Sequence, residues 1–160
     1  MKEKSPKIYT VKQALKKAAD YCAIQERSQQ EMRNKLYLWG LYGNDVENII
    51  ALLISDGFIN EERFAKAFTS GKFRIKKWGK IKIQIELKKK KISDYCIRKG
   101  FEEIDRNEYL KTLKYLIQKK SREVKEKNTY KKLSRLASYV ISKGYESELV
   151  WDLLRNDFEE

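Results

Sequence analysis

The stretch KFRIKKWGKIKIQIELKKKKI, Lys72–Ile92, admits two readings, and the fold turns on which one holds. Ile81, Ile83, Ile85 and Leu87 alternate strictly with polar residues, the period-two pattern of a half-buried strand. A helix would instead pair Ile83 with Leu87 on one face and leave Ile81 and Ile85 toward its flanks. The rest of the chain decides between them. Gly40, Lys91 and Gly144 align at separations of 51 and 53 residues. Eight residues before them stand Met32, Ile83 and Leu136, and four before stand Leu36, Leu87 and Val140. One residue after come Leu41, Ile92 and Tyr145; six after, Val46, Ile97 and Val150; ten after, Ile50, Phe101 and Leu154. Five apolar columns in three copies indicate stacked supersecondary units, each too thin to bury its face alone. In that register Ile83 and Leu87 fall with Met32/Leu36 and Leu136/Val140, so the stretch is expected to be helical.

Helix start signals fit the same plan. Thr10 with Gln13, and Ser28 with Glu31, have capping-box spacing. Asn44 with Glu47 is expected to cap a third helix, and Asn60-Glu61-Glu62 a fourth with an acidic first turn. The first helix is expected through about Gln25, with Val11, Ala14, Leu15, Ala18, Tyr21 and Cys22 on its apolar stripe. One proline and seven glycines leave little turn chemistry for a β fold. The expectation is an all-α protein of tandem three-helix repeats in an elongated, curved array. Residues 1–27 read as an N-terminal helix, 28–78 as repeat 1, 79–120 as repeat 2 and 121–160 as a truncated repeat 3. Ser121–Asn128 reads as a joint or an extended helix end.

Charge is concentrated where the fold question arose. Residues 71–92 hold ten Lys/Arg against one acid, Glu86, so +9 of the formal +13 lies in 22 residues. A segment both basic and apolar can pack on one side and face a polyanion with the other. Lys72, Arg74, Lys76, Lys77, Lys80, Lys82, Lys88 and Lys89 are the candidate binding residues there. Lys131, Lys132 and Arg135 form a weaker strip on the matching helix of the third unit. Lys88–Lys91 alone would suit a solvated helix C-terminus; the five cations from Arg74 to Lys82 extend the patch beyond that explanation. Trp78, among them, has two uses open to it: stacking on a base, worth about 1–3 kcal/mol, or plugging a space between units.

Catalytic signals are absent. There is no histidine, the commonest general base and metal ligand. Cys22 and Cys96 are isolated and apolar in context, reading as reduced core thiols and not as a zinc site. Gly71-Lys72 and Gly79-Lys80 lack the spacing of a phosphate loop. Glu61/Glu62 and Glu102/Glu103 sit near helix starts, where the dipole explains them. The reading is a binding protein, not an enzyme, with no cofactor and no metal. No run approaches the roughly 20 apolar residues of a membrane span, and the N-terminus has no apolar signal core. A cytoplasmic, monomeric protein with no membrane role is expected.

Ser28-x-x-Glu31-x-x-x-x-Leu36-x-x-x-Gly40, then Gly57-Phe-Ile-Asn-Glu-Glu-Arg63-Phe64-Ala65, then Gly79-x-x-x-Ile83-x-x-x-Leu87, with Lys143-Gly144-Tyr145 at the end, resembles the bacterial RecX family. The resemblance runs over roughly residues 10–156, and Arg63-Phe64-Ala65 with its approach is its most specific part. Lys91 stands where the pattern has glycine. The resemblance implies three tandem three-helix repeats. It also implies a non-catalytic regulator that binds the RecA–DNA filament and inhibits its recombinase, ATPase and co-protease activity in DNA repair and the SOS response. Single- or double-stranded DNA would be met through phosphates. A general helical DNA- or RNA-binding module, independent of RecA, is the alternative; a membrane-surface protein and a scaffold for an acidic protein are more distant ones.

Overall fold

The computed structural model describes residues 9–158, and every regular element among them is a helix. In order these are α1 (Val11–Ile24), α2 (Gln29–Leu38), α3 (Gly43–Ser55), α4 (Glu61–Arg74), α5 (Lys80–Lys89), α6 (Asp94–Phe101), α7 (Arg106–Glu123), α8 (Thr129–Ser142) and α9 (Ser147–Phe158). The alternating isoleucines are therefore helical. Ile83 and Leu87 are fully buried, while Ile81 and Ile85 remain 43% and 50% exposed on the flanks. Burying each of the first pair contributes about 1.5–3 kcal/mol, which outweighs the weak strand preference of an isolated period-two pattern.

The two capping boxes form as spaced. Gln13 N–H donates to Thr10 Oγ1 at 3.2 Å and Thr10 N–H to Gln13 Oε1 at 3.0 Å. Ser28 and Glu31 do the same at 3.1 and 3.2 Å. Asn44 does not cap α3. That helix starts two residues earlier, from Tyr42, with no side-chain cap, and Glu47 is drawn instead to Arg33 at 2.9 Å. Val11 also departs from expectation: it is exposed, and the stripe α1 buries is Ala14, Ala18 and Cys22. The segment after residue 120 continues α7 as far as Glu123 before the chain leaves the helix.

The helix pairs that pack extensively all lie within α1–α3, within α4–α6 or within α7–α9. Helices α1–α3 enclose one core around Met32, Leu36, Ile49 and Leu53. Helices α4–α9 share a second, around Phe64, Ile83, Leu87, Leu113, Leu136 and Tyr145. The division 28–78, 79–120 and 121–160 begins each unit one helix later than this grouping, because a period fixes spacing and leaves phase open. Within the middle unit the α4–α6 approach is close: a Cβ at Gly100 would lie within 3 Å of the Ala65 carbonyl. Arg63 ties the first unit to the second, pairing with Glu26 and donating to the Gly57 carbonyl at 2.9 Å.

Equivalent helices α2, α5 and α8 end in the same turn. Leu41, Ile92 and Tyr145 N–H each reach back five residues, to Leu36, Leu87 and Val140, at 3.1–3.2 Å. Gly40, Lys91 and Gly144 N–H each reach back three, at 2.9–3.0 Å. This is the Schellman arrangement, and its C′ residue must be left-handed. Gly40 and Gly144 have φ of 85° and 104°; Lys91 adopts 59°, where its Cβ is strained. Replacing Lys91 by glycine is expected to stabilise the protein by up to about 1 kcal/mol, once the extra chain entropy of glycine is offset. A urea midpoint that rises with an unchanged slope is the expected result.

Candidate nucleic-acid interface

The basic stretch is built from the end of α4, a sharp turn and the start of α5. Turning the chain there requires Lys77 to be left-handed, with φ of 57°, while Trp78 N–H donates back to the Lys72 carbonyl at 3.1 Å. The turn is held from the third unit. Gly79 N–H donates to the Lys143 carbonyl and Ile81 N–H to the Gly144 carbonyl, both at 2.9 Å. The orphan donors at the start of α5 are thus met by the spare acceptors at the end of α8. Tyr145 Oη donates to the Lys77 carbonyl at 2.9 Å. Lys80 N–H donates to Tyr109 Oη at 3.1 Å, and that hydroxyl donates to Glu146 Oε1 at 2.7 Å. The two tyrosine rings lie 5.0 Å apart. Burial above all drives both phenols well above their ordinary range, with Glu146 adding to the shift, so neither ionises near neutral pH.

On this frame four of the ammonium groups rest on aromatic rings. Lys72 and Lys82 lie 5.0 and 4.5 Å from the centre of Trp78, Lys80 lies 5.0 Å from Tyr109, and Lys77 lies 6.0 Å from Tyr115. Cation–π contact holds such groups without neutralising them. Trp78 itself packs against the larger core. Arg74 donates to Ser70 Oγ at 2.8 Å, and Lys76 is exposed. Among the described residues none of these six cations has a carboxylate within 4 Å. Lys88 and Lys89 differ, facing Asp94 at 3.8 Å and Glu86 at 3.0 Å.

Lys131, Lys132 and Arg135 stand apart, on the N-terminal half of α8. Arg135 faces Glu126 at 3.5 Å and lines a shallow groove with Lys120 and Lys125. The sequence reading brought neither of these lysines into the patch. It also missed Lys111, which shares a groove with Arg74 and Lys77. No local pattern signalled it, since the ring of Tyr115, one turn on, comes under Lys77 only in the folded chain. Among the described residues no group of three or more His, Cys, Asp or Glu side chains could hold a metal ion, and no helix is long and apolar enough to cross a membrane.

Two family models match the chain: the second three-helix domain of RecX over residues 60–100, and the third over residues 107–154. Together they cover more than half of it. The regulatory protein RecX of Prosthecochloris aestuarii is 26% identical over 144 residues, spanning 87% of this chain and 89% of that protein. That of Clostridium acetobutylicum is 29% identical over 138 residues, or 84% and 64%. The chain spans about half the length of the Bacillus cereus relatives, 52%, at 23% identity. The crystal structure of RecX from Lactobacillus salivarius superposes with a TM-score of 0.80 at 18% identity, covering 91% of this chain and 94% of that one, a likeness of fold.

The frame is sensitive at Gly79, where a Cβ would overlap the Gly144 carbonyl and the Tyr145 nitrogen. Gly79→Ala is expected to cost about 3 kcal/mol in urea unfolding, the upper end for overpacking, because backbone is what must move. A cost of a few tenths would show that the turn is not held against α8.

Proposed function

This chain belongs to the RecX family, and on that footing we propose that it is a non-catalytic regulator that binds the RecA–DNA filament and inhibits recombinase, ATPase and co-protease activity. The observation that carries the nucleic-acid half of this reading is the set of six uncompensated cations at the α4–α5 turn. Cations seated on rings, without carboxylate partners, keep their charge for an external anion. These cations would displace the counterions condensed on DNA phosphates, an affinity independent of sequence. Lys131, Lys132 and Arg135 would add a second, weaker point of contact, and Lys88 and Lys89 a rim that must first leave Asp94 and Glu86. The protein works in this reading as a cytoplasmic monomer, with no cofactor.

The filament half draws on the arrangement of units. Three-helix units strung in series suit a partner that is itself a repeating fibre, since several weak contacts on one chain combine as avidity. The relatives' name, regulatory protein, agrees with a role in which binding is the activity.

The direct assay is the DNA-dependent ATPase of RecA titrated with this protein. Inhibition that saturates is expected; no effect, with bare DNA still bound, would instead favour a general nucleic-acid-binding module. Reversing Lys76, Lys77, Lys80 and Lys82 to Glu is expected to abolish inhibition while circular dichroism shows unchanged helicity. For bare DNA, the log–log salt slope should fall by about 0.9 for each phosphate contact removed. An affinity indifferent to salt would rule out phosphate contacts.

A further inference from the structure

A groove of about 440 Å³ lies where the first unit meets α4 and α5. Its apolar lining is Phe64, Ala67, Phe68 and Ile75. Ile75 follows the last residue of α4 and is 79% exposed, a large apolar side chain left open to solvent. Lys72 and Lys76 line the same groove, with no carboxylate within 4 Å of either among the described residues. The facing wall comes from the α1–α2 junction and carries Glu26 and Glu31. Both acids are already engaged, Glu26 with Arg63 and Glu31 with Lys90 at 2.8 Å.

This mixture of signs separates the groove from the cationic turn beside it. A DNA strand presents a negative charge at every step, so a phosphate track is lined by one sign. Here a run of phosphates entering past Lys72 and Lys76 would lie on the apolar side chains of Phe68 and Ile75 and face carboxylates already paired with Arg63 and Lys90. A peptide varies its chemistry residue by residue: a carboxylate can face the two lysines, a bulky apolar side chain can cover Phe68 and Ile75, and backbone N–H groups can face the glutamates. The geometry points to a docking groove for an acidic peptide segment bearing a bulky apolar side chain, presented by a protein partner. It deepens the reading above, and rests on it for the partner being the protein component of the filament. Lys72 and Lys76 then serve both contacts, and the apolar side chains of the groove are what separate peptide from phosphate by mutation.

Ala67→Gln and Ile75→Ser test this without touching the proposed phosphate contacts. Both positions are exposed, and glutamine keeps the helix propensity of α4. The probe is a fluorescein-labelled peptide of about ten residues, Glu-rich with a central Leu-Phe pair. Controls replace Leu-Phe by Ser-Ser, or the glutamates by lysine. Saturable binding of the first peptide alone is expected, weakened about tenfold or more by each substitution, with bare-DNA affinity within about twofold of the parent. Absent binding, equal binding of the Ser-Ser control, or indifference to both substitutions would overturn the groove assignment. So would a parallel loss of DNA affinity, which would make the groove part of the nucleic-acid surface. The RecA ATPase titration run beside it reports on the filament reading by itself: peptide binding without RecA inhibition would sink that reading and leave the groove standing.

Discussion

The end of α8 abuts the start of α5, and the presentation of the cationic surface depends on that junction. A helix N-terminus leaves backbone donors without partners, and a C-terminus leaves acceptors. Here Gly79 and Ile81 N–H meet the Lys143 and Gly144 carbonyls, so each helix end completes the other. Their macrodipoles also meet with opposite signs. That matters for charge, because α5 has lysines and no acid in its first turn, an unfavourable choice for an isolated helix. The negative end of α8 offsets it, and Lys80 and Lys82 can stand where a free helix would place glutamate. Two glycines make the approach feasible, since a Cβ at either would overlap backbone or the Lys82 side chain.

The three units reuse one turn and vary what it displays. Residues 37–39, 88–90 and 141–143 occupy the same place before the left-handed residue. They read Tyr-Leu-Trp in the first unit, Lys-Lys-Lys in the second and Ile-Ser-Lys in the third. The turn itself asks only that the helix end there; beyond it Trp39 is buried in the first core, Ile141 packs against the shared one, and Lys88 and Lys89 stay exposed. The first unit also keeps its own core, whereas the second and third share theirs through Phe73, Tyr109 and Tyr145, with ring centres 5.8 and 5.0 Å apart. The basic turn is therefore rigid with respect to the third unit, and the acidic wall of the peptide groove belongs to the first, held mainly through Arg63 and Lys90.

Much of this was legible in the sequence, and what was not has a common cause. Ile83 and Leu87 could be placed on a helix because their columns recur in Met32/Leu36 and Leu136/Val140. Lys91 could be aligned with Gly40 and Gly144 by its column, but that a lysine would take up their left-handed turn, with φ of 59°, was not legible. Local caps were readable at Thr10 and Ser28, but Asn44 was not the cap it resembled: α3 is already under way at Gly43, and Glu47 pairs with Arg33, 14 residues away. The seating of Lys80 on Tyr109 and Lys77 on Tyr115 joins residues that no local pattern relates. The same holds for the α8–α5 junction, although both its glycines stood in the quoted motifs: spacing along the chain says nothing about which turns touch. The patch as a whole showed in composition; which lysines keep their charge uncompensated, and which are answered by Asp94, Glu86 or Glu126, required the packed structure.

Native-state amide hydrogen exchange at Gly79 and Ile81 tests the central claim most directly, because these two donors are the junction itself. If α5 starts against the carbonyls of α8, both amides should exchange as slowly as those of Leu113 and Ile117 in the shared core, opening only when the second and third units unfold together. Exchange at the rate of an open loop, with Leu113 and Ile117 still protected, would mean that the cationic turn is not anchored to the third unit, and would contradict the account.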